Sequence, residues 1–399
     1  FIFAGNTVYK NIKYFKQGFI YQFNLKTLET QFKKFDDPIN WIQKKTYLKM
    51  KNLNEGDLKD YFLNILIKSK EKMIPKIPFA SFFSGGIDSS LSSKLLSSSK
   101  NLKKLIFVDH GNKKDPISHG IRKFNKYLNK KIFFLKLDEK KYALKLKNIY
   151  SSLQLPFHSH DLVGIDEVFK YAKKNKLRVI FNGGGVDEIW GGYKLYKSTN
   201  WSKNYYGNLS PYSSFKKIFN TKDTKSKKIT DKLWLRAYKK YSKFLNKKDS
   251  KIQASLFVDY FIQGIGVHNF SWHILSGENS VEVRNFFINK KILSKIINVP
   301  IEHRINLKVN NKFALKKLLK IIFVTFFPKK LVFKKQGFSG FPNESSKFLN
   351  KRDKKEFYDN LNIFKNKIKI TRDNYWKILN LYYFKKYIYP KMNFNKILN

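Results

Sequence analysis

The stretch FASFFSGGIDSSLSSKLL, Phe79 to Leu96, decides the fold. An apolar run from Phe79 to Phe83 halts at Ser84-Gly85-Gly86 and resumes as a Ser-rich segment with spaced leucines. That order reads as a buried strand, a glycine turn and a helix over Asp88 to Ser97. The same grammar repeats downstream. KKLIFVDHG (103–111) reads as a second strand, SHGIRKFNKYLNK (118–130) as a helix and KIFFLKL (131–137) as a third strand. DEKKYALKLKNIY (138–150) and GIDEVFKYAKKNK (164–176) follow as helices, and RVIFNGGG (178–185) as a further strand. Strand and helix in alternation predict an α/β fold, a parallel twisted sheet with helices on both faces.

Working outward, NTVYKNIKYF (6–15) and FIYQFNL (19–25) alternate apolar and polar residues and predict a hairpin turning at Gly18. DDPIN (36–40) breaks it. GDLKDYFLNILIKSKEKM (56–73) has helical spacing, with Leu58, Tyr61, Phe62, Ile65 and Leu66 on one face and Asp57 as the expected cap. After Tyr193 no strand signal remains. Residues 207–230 read as an irregular polar insertion, and the chain from Lys232 onward as mainly helical, with no internal repeat.

The 399 residues leave room for two or three domains, and 42% hydrophobic with 17% aromatic residues excludes a disordered chain. There is no cysteine, which rules out disulfides, thiolate metal sites and a thiol nucleophile. No secretory signal opens FIFAGNTVYKNIKYF, and the apolar run Ile321 to Phe327 is too short to span a bilayer and stops at Pro328. A soluble, cytoplasmic protein without membrane insertion is expected. The net charge of +52 invites a nucleic-acid reading, yet the basic residues are nearly all Lys. Base-reading surfaces favour the bidentate fork of Arg. The abundance of Lys, Asn, Ile, Phe and Tyr fits AT-rich codon drift instead, so nucleic acid is disfavoured as a partner.

In open parallel sheets ligands sit beyond the carboxyl ends of strands. Two glycine-rich segments fall there: Ser84-Gly85-Gly86-Ile87-Asp88-Ser89 and Asn182-Gly183-Gly184-Gly185-Val186-Asp187-Glu188. Glycines let backbone N–H groups approach an anion, the next helix offers its positive end, and the Ser84 and Ser89 hydroxyls add donors. Asp88 and Asp187 would repel a bare phosphate, which calls for magnesium between them and the ligand. A lone Gly-Gly is more often just a tight turn; two strand-terminal loops, each with an acid, argue against that. The first is not a Walker A loop, because Gly-Lys-Ser/Thr is absent.

SGGIDSS resembles the pyrophosphatase loop of the enzymes that cleave ATP to AMP and pyrophosphate. FNGGGVDEIWGGY is similar to the second signature of the glutamine-hydrolysing asparagine synthetases, and SVEVRNFFINKKIL (280–293) and KKLVFKKQGFSGFP align with two later family segments. Four motifs stand in family order over residues 79–342. The resemblance implies a PP-loop ATP pyrophosphatase fold with a helical C-terminal part. It also implies ATP and Mg2+, a small-molecule carboxylate and ammonia as reactants, and is compatible with a homodimer. Ser84, Gly85, Gly86 and Ser89 would hold the pyrophosphate moiety, Asp88 and Asp187 the magnesium, and Phe83, Val108, Asn182 and Gly183 the adenosine. Glu282 and Lys335 would stand near the reacting carbonyl, with an Arg284 ion pair and a plain surface lysine as the structural alternatives.

Residues 1–40 resemble the last strands of that family's glutaminase domain, and 41–399 its synthetase domain. The glutaminase nucleophile is a cysteine, absent here. The Phe1 start favours an upstream portion beyond this sequence, in which case ammonia would derive from glutamine; otherwise free ammonia or another amine is the donor. Several positions depart from the family pattern. Gly184 stands for its acid and Asn182 for its serine, Phe286 for a proline, Asn289 for an aspartate, and His273 where an aspartate is usual. These put the identity of the acid in doubt. His158, His160 and Asp161 in PFHSHDL fit the rim of a substrate mouth better than a zinc site. Amide formation on another carboxylate such as a sugar acid, a tRNA-modifying enzyme and a silent nucleotide-binding protein remain the alternative readings.

Overall fold

The computed structural model describes residues 11–109, 120–137, 142–155, 161–197, 225–309, 311, 313–333, 355–359 and 372–390. Its centre is a five-stranded sheet of β3 (Phe79–Phe82), β4 (Leu102–Asp109), β5 (Ile132–Lys136), β6 (Val179–Phe181) and β7 (Glu282–Arg284). The spatial order is β5-β4-β3-β6-β7, and every pair is parallel. The chain winds outward from β3 through β4 to β5, then returns to place β6 on the other side of β3. The order reverses between β3 and β6, which is where such sheets bind ligands.

Side chains alternate across the strands and so face two separate cores. Phe79, Leu105, Phe107, Val179 and Phe181 face one, with α2 (Glu55–Met73) and α3 (Ile87–Leu96) packed over them. Ala80, Ile106, Val108 and Ile180 face the other. That side is covered by helices Tyr142–Leu153, Leu162–Lys174 and Phe270–Glu278 and by the helix Arg372–Tyr387. Burial on both faces explains why the strands read as continuous apolar runs. Each fully buried Phe or Leu contributes about 1.5–3 kcal/mol, which is what anchors the strand ends at the ligand edge.

Five details differ from the sequence reading. The N-terminal hairpin pairs β1 (Phe19–Phe23) with β2 (Thr30–Lys34) and turns at 24–29, not at Gly18. Asn24 Oδ1 accepts from the Lys26 and Thr27 amides and makes the turn. Gly18 instead lies under Asp36, whose carbonyl oxygen stands 2.4 Å from where a Cβ would be. Helix α2 is capped by Asn54, whose Oδ1 accepts from the Asp57 amide at 2.9 Å, so Asp57 is three residues inside. The helix expected over 118–130 is, among the described residues, one short turn around Arg122–Lys126. Phe124 there is wedged among the rings of Phe83, Phe323 and Phe327, and Asn125 Oδ1 already accepts from the first amide of β5. Finally, β7 is a strand where none was expected. The insertion expected over 207–230 lies outside the described residues up to 224, and 225–230 belong to the helix Lys225–Tyr241.

Candidate active site

The first glycine loop leaves β3 and is knitted by its own serines. The Ser84 amide donates to Ser89 Oγ at 3.0 Å, the two hydroxyls meet at 2.9 Å, and Ser89 Oγ donates to the Gly86 carbonyl at 3.3 Å. Gly85 has φ +73 and presses on Ile121, whose Cδ1 lies 2.4 Å from the position of a Cβ. Gly86 then caps α3, so the helix presents its N-terminus and Asp88 to the ligand edge.

The second loop leaves β6. The Asn182 amide donates to the Arg284 carbonyl at 2.9 Å, fastening it to β7. Both polar atoms of the Asn182 side chain are buried without a hydrogen-bond partner, at 2% exposure. Gly185, at φ +81, turns the chain into a short helix, Val186–Trp190, which carries Asp187. Below it, the buried Arg304 donates to the Ile189 carbonyl at 2.9 Å and to Gln253 Oε1. Burial holds its pKa down at about 10.

The two loops touch. A Cβ on Gly183 would stand 3.3 Å from Asp88 Cβ and 3.8 Å from the Ser89 amide nitrogen. Asp88 and Asp187 therefore face one another, and Lys316 reaches in between. Its Nζ donates to Asp88 Oδ2 and lies 2.8 Å from Asp187 Oδ1. Lys316 sits just before the helix Lys317–Val324 with φ +51, its amide donates to the Gly191 carbonyl at 3.1 Å, and its side chain is 8% exposed. Gly192 makes the space, since a Cβ there would lie 1.8 Å from Asp187 Oδ1 and 2.7 Å from Lys316 Cε. Burial alone would lower the pKa of Lys316, but Asp187 and Asp88 more than offset it and raise it. The lysine is charged.

Two carboxylates on one wall match magnesium, which takes one or two protein carboxylates and completes its shell with phosphate and water. Among the described residues no group of three or more His, Cys, Asp or Glu forms an all-protein metal cage. The donor set fits a cation that arrives with a nucleotide.

The structure thus brings together Ser84, Gly85, Gly86, Asp88, Ser89, Asn182, Gly183 and Asp187. Phe83 and Val108 stand at the carboxyl ends of β3 and β4 but are 2% and 3% exposed, so their side chains serve the two cores and only backbone faces the edge. Glu282 is not brought to the cradle. It pairs in register with Val179 at the amino end of its strand, on the opposite edge of the sheet. Its carboxylate accepts from Arg284 Nε and NH2 at 2.8 and 2.9 Å, and those bonds hold its pKa down. Arg284 in turn donates to Met73 O at the end of α2. Glu282 thus takes part in the Arg284 ion pair. Lys335, His158 and His160 lie outside the described residues; Asp161 stands at the start of the helix Leu162–Lys174.

Lys316 was missed in the sequence because it is one of a great many lysines. Asn269 and Asn285 were missed too. Around Gly184, Asn269 Oδ1 and Asn182 Nδ2 lie 3.3 and 3.7 Å from the position of a Cβ, and Asn285 Nδ2 donates to the Gly184 carbonyl at 2.8 Å. Two departures prove structural: Phe286 is fully buried, and Asn289 caps the helix Lys290–Ile296 by accepting from Ile292 N at 3.1 Å.

Comparison with curated proteins gives no match. The family model described as asparagine synthase matches residues 66–368, well over half of the chain and spanning both loops, the two aspartates and Lys316. The chain belongs to the asparagine synthase family.

Proposed function

We propose that the protein is an ATP-dependent, AMP-forming ligase that converts a carboxylate to an amide, with aspartate to asparagine as the first candidate reaction. A carboxylate oxygen of the acid attacks the α-phosphorus, the bond to the bridging oxygen breaks, and pyrophosphate leaves. Ammonia then attacks the acyl-adenylate carbonyl carbon, a C–N bond forms, AMP leaves and the nitrogen loses a proton. The observation that carries this reading is the contact of Gly183 with Asp88 and Ser89, which joins two glycine loops into one polyphosphate cradle.

Within it, the Ser84–Ser89 turn and the N-terminus of α3 bind the departing pyrophosphate. Asp88 and Asp187 would hold Mg2+, which neutralises charge on the phosphates when bound. Lys316 is placed to do the same from the protein side, and Lys335 is proposed for the α-phosphate. Residues 1–40 are proposed as the end of a glutaminase-type domain and 41–399 as the synthetase domain. A cytoplasmic site of action belongs to the same reading; no helix among the described residues is long and apolar enough to cross a membrane.

One observation favours a different acceptor. The asparagines around Gly184 present neutral carboxamides where the family has an acid, which supports the same chemistry on another carboxylate. Acid-dependent exchange of labelled pyrophosphate into ATP tests both. Exchange with aspartate supports asparagine formation, exchange with a different acid supports the second reading, and its absence across a broad panel of acids refutes adenylation.

A further inference from the structure

Resting on that reading, we propose that Lys316 occupies the cation position between Asp88 and Asp187 until a polyphosphate takes over its charge, so that a divalent cation enters only together with nucleotide. The geometry is built rather than incidental. The lysine is nearly buried, its backbone takes a left-handed conformation and is tied to Gly191, and Gly192 lacks the side chain that would collide with both Lys316 and Asp187.

The charges give the consequence. With Lys316 in place the pair of carboxylates carries one net negative charge rather than two. An arriving divalent ion must displace a buried ammonium that both carboxylates hold. A triphosphate supplies that ammonium with a new partner. Once Lys316 turns to phosphate, both aspartates are released to the metal, which the same phosphates also ligate. Metal and nucleotide then bind with positive coupling, and by linkage each strengthens the other. The lysine also guards the aspartates against stray divalent ions in the nucleotide-free protein.

The test uses the full chain and Mn2+ alone, followed by the electron paramagnetic resonance signal of the free ion. Lys316→Met should bind Mn2+ without nucleotide at least about ten-fold tighter than the wild type. The gained binding should vanish when Asp187→Asn is added. Equal affinities of wild type and Lys316→Met, or gained binding that survives Asp187→Asn, would overturn the proposal.

Should Lys316→Met fail to fold, the wild type decides by chemical acetylation and mass spectrometry. Lys316 should stay protected with saturating Mn2+ alone, and its exposure by Mn2+ alone would overturn the ordering. A parallel titration with α,β-methylene-ATP separates the two levels of argument. If that nucleotide binds neither protein the adenylation reading fails, while the Mn2+ comparison still judges Lys316.

Discussion

Gly192→Ala is the smallest change that should disable the cradle. Its new methyl would lie 1.8 Å from Asp187 Oδ1, 2.6 Å from Asp187 Cγ and 2.7 Å from Lys316 Cε. The backbone is not in the left-handed region, so the penalty is one of space alone. Forcing a methyl into a packed site costs about 1–3 kcal/mol. Asp187 must also leave Lys316. At 2.8 Å and an effective dielectric of about 20 the gross attraction is ~6 kcal/mol. Asp187 is 23% exposed, and water returns most of that on separation, leaving a loss of about 1 kcal/mol. The sum is a destabilisation of about 2–4 kcal/mol, a sizeable share of a typical domain's stability. Affinity for MgATP should fall at least about ten-fold, the equivalent of ~1.4 kcal/mol. Urea unfolding and calorimetric titration measure the two effects. Gly277→Ala is the control: nothing lies within 4 Å of its added methyl inside the helix Phe270–Glu278, and it should gain about 0.5–1 kcal/mol. Wild-type stability and affinity in Gly192→Ala would refute the argued proximity of Gly192, Asp187 and Lys316.

Asn182→Leu removes a buried amide that has no partner, so the nucleotide-free protein should gain about 1–3 kcal/mol while MgATP affinity falls. Thermal shift with and without MgATP reads both, and a variant that binds MgATP normally would show that the amide serves no ligand. Arg304→Met leaves the Ile189 carbonyl and Gln253 without their donor and should destabilise by roughly 2 kcal/mol in urea unfolding. Glu282→Gln should change turnover by less than about three-fold, because its carboxylate faces Arg284 on the edge opposite the cradle; a loss of about a hundred-fold would restore it to the reacting centre. For Lys316 the folded pKa is raised, so its stabilising contribution is complete below its ordinary value of 10.5 and is lost as pH rises through the higher folded value. The stability gap between wild type and Lys316→Met should therefore be constant from pH 7 to 9 and shrink above 10.5.

The parts of the fold that were legible in the sequence are those decided by local periodicity. β3, β4, β5 and β6 are buried on both faces and so are written as apolar runs ending in glycine or a polar break. The paired glycine loops were legible for the same reason. β7 was not: three residues reading Glu-Val-Arg carry too little pattern, and only the neighbouring β6 makes them a strand. The hairpin turn falls elsewhere because Gly18 passes beneath Asp36, while a side-chain acceptor on Asn24 builds the turn. Lys316 illustrates the harder limit. Nothing local separates it from its neighbour Lys317, which pairs with Glu55 at the surface; the difference arises only when Gly191, Asp88 and Asp187 are assembled around it.

The adjacency of β3 and β6 has a consequence for how the protein matures. These strands are hydrogen-bonded neighbours, yet about a hundred residues of chain, including β4, β5 and three α-helices, must be laid down between them. Closing so long an excursion is slow and comes after the local hairpins and helices. On the proposed reading, a nucleotide bound by both loops would act as a clasp across the middle of the sheet. Protease resistance conferred by that clasp should extend through the whole intervening excursion rather than stop at the loops themselves.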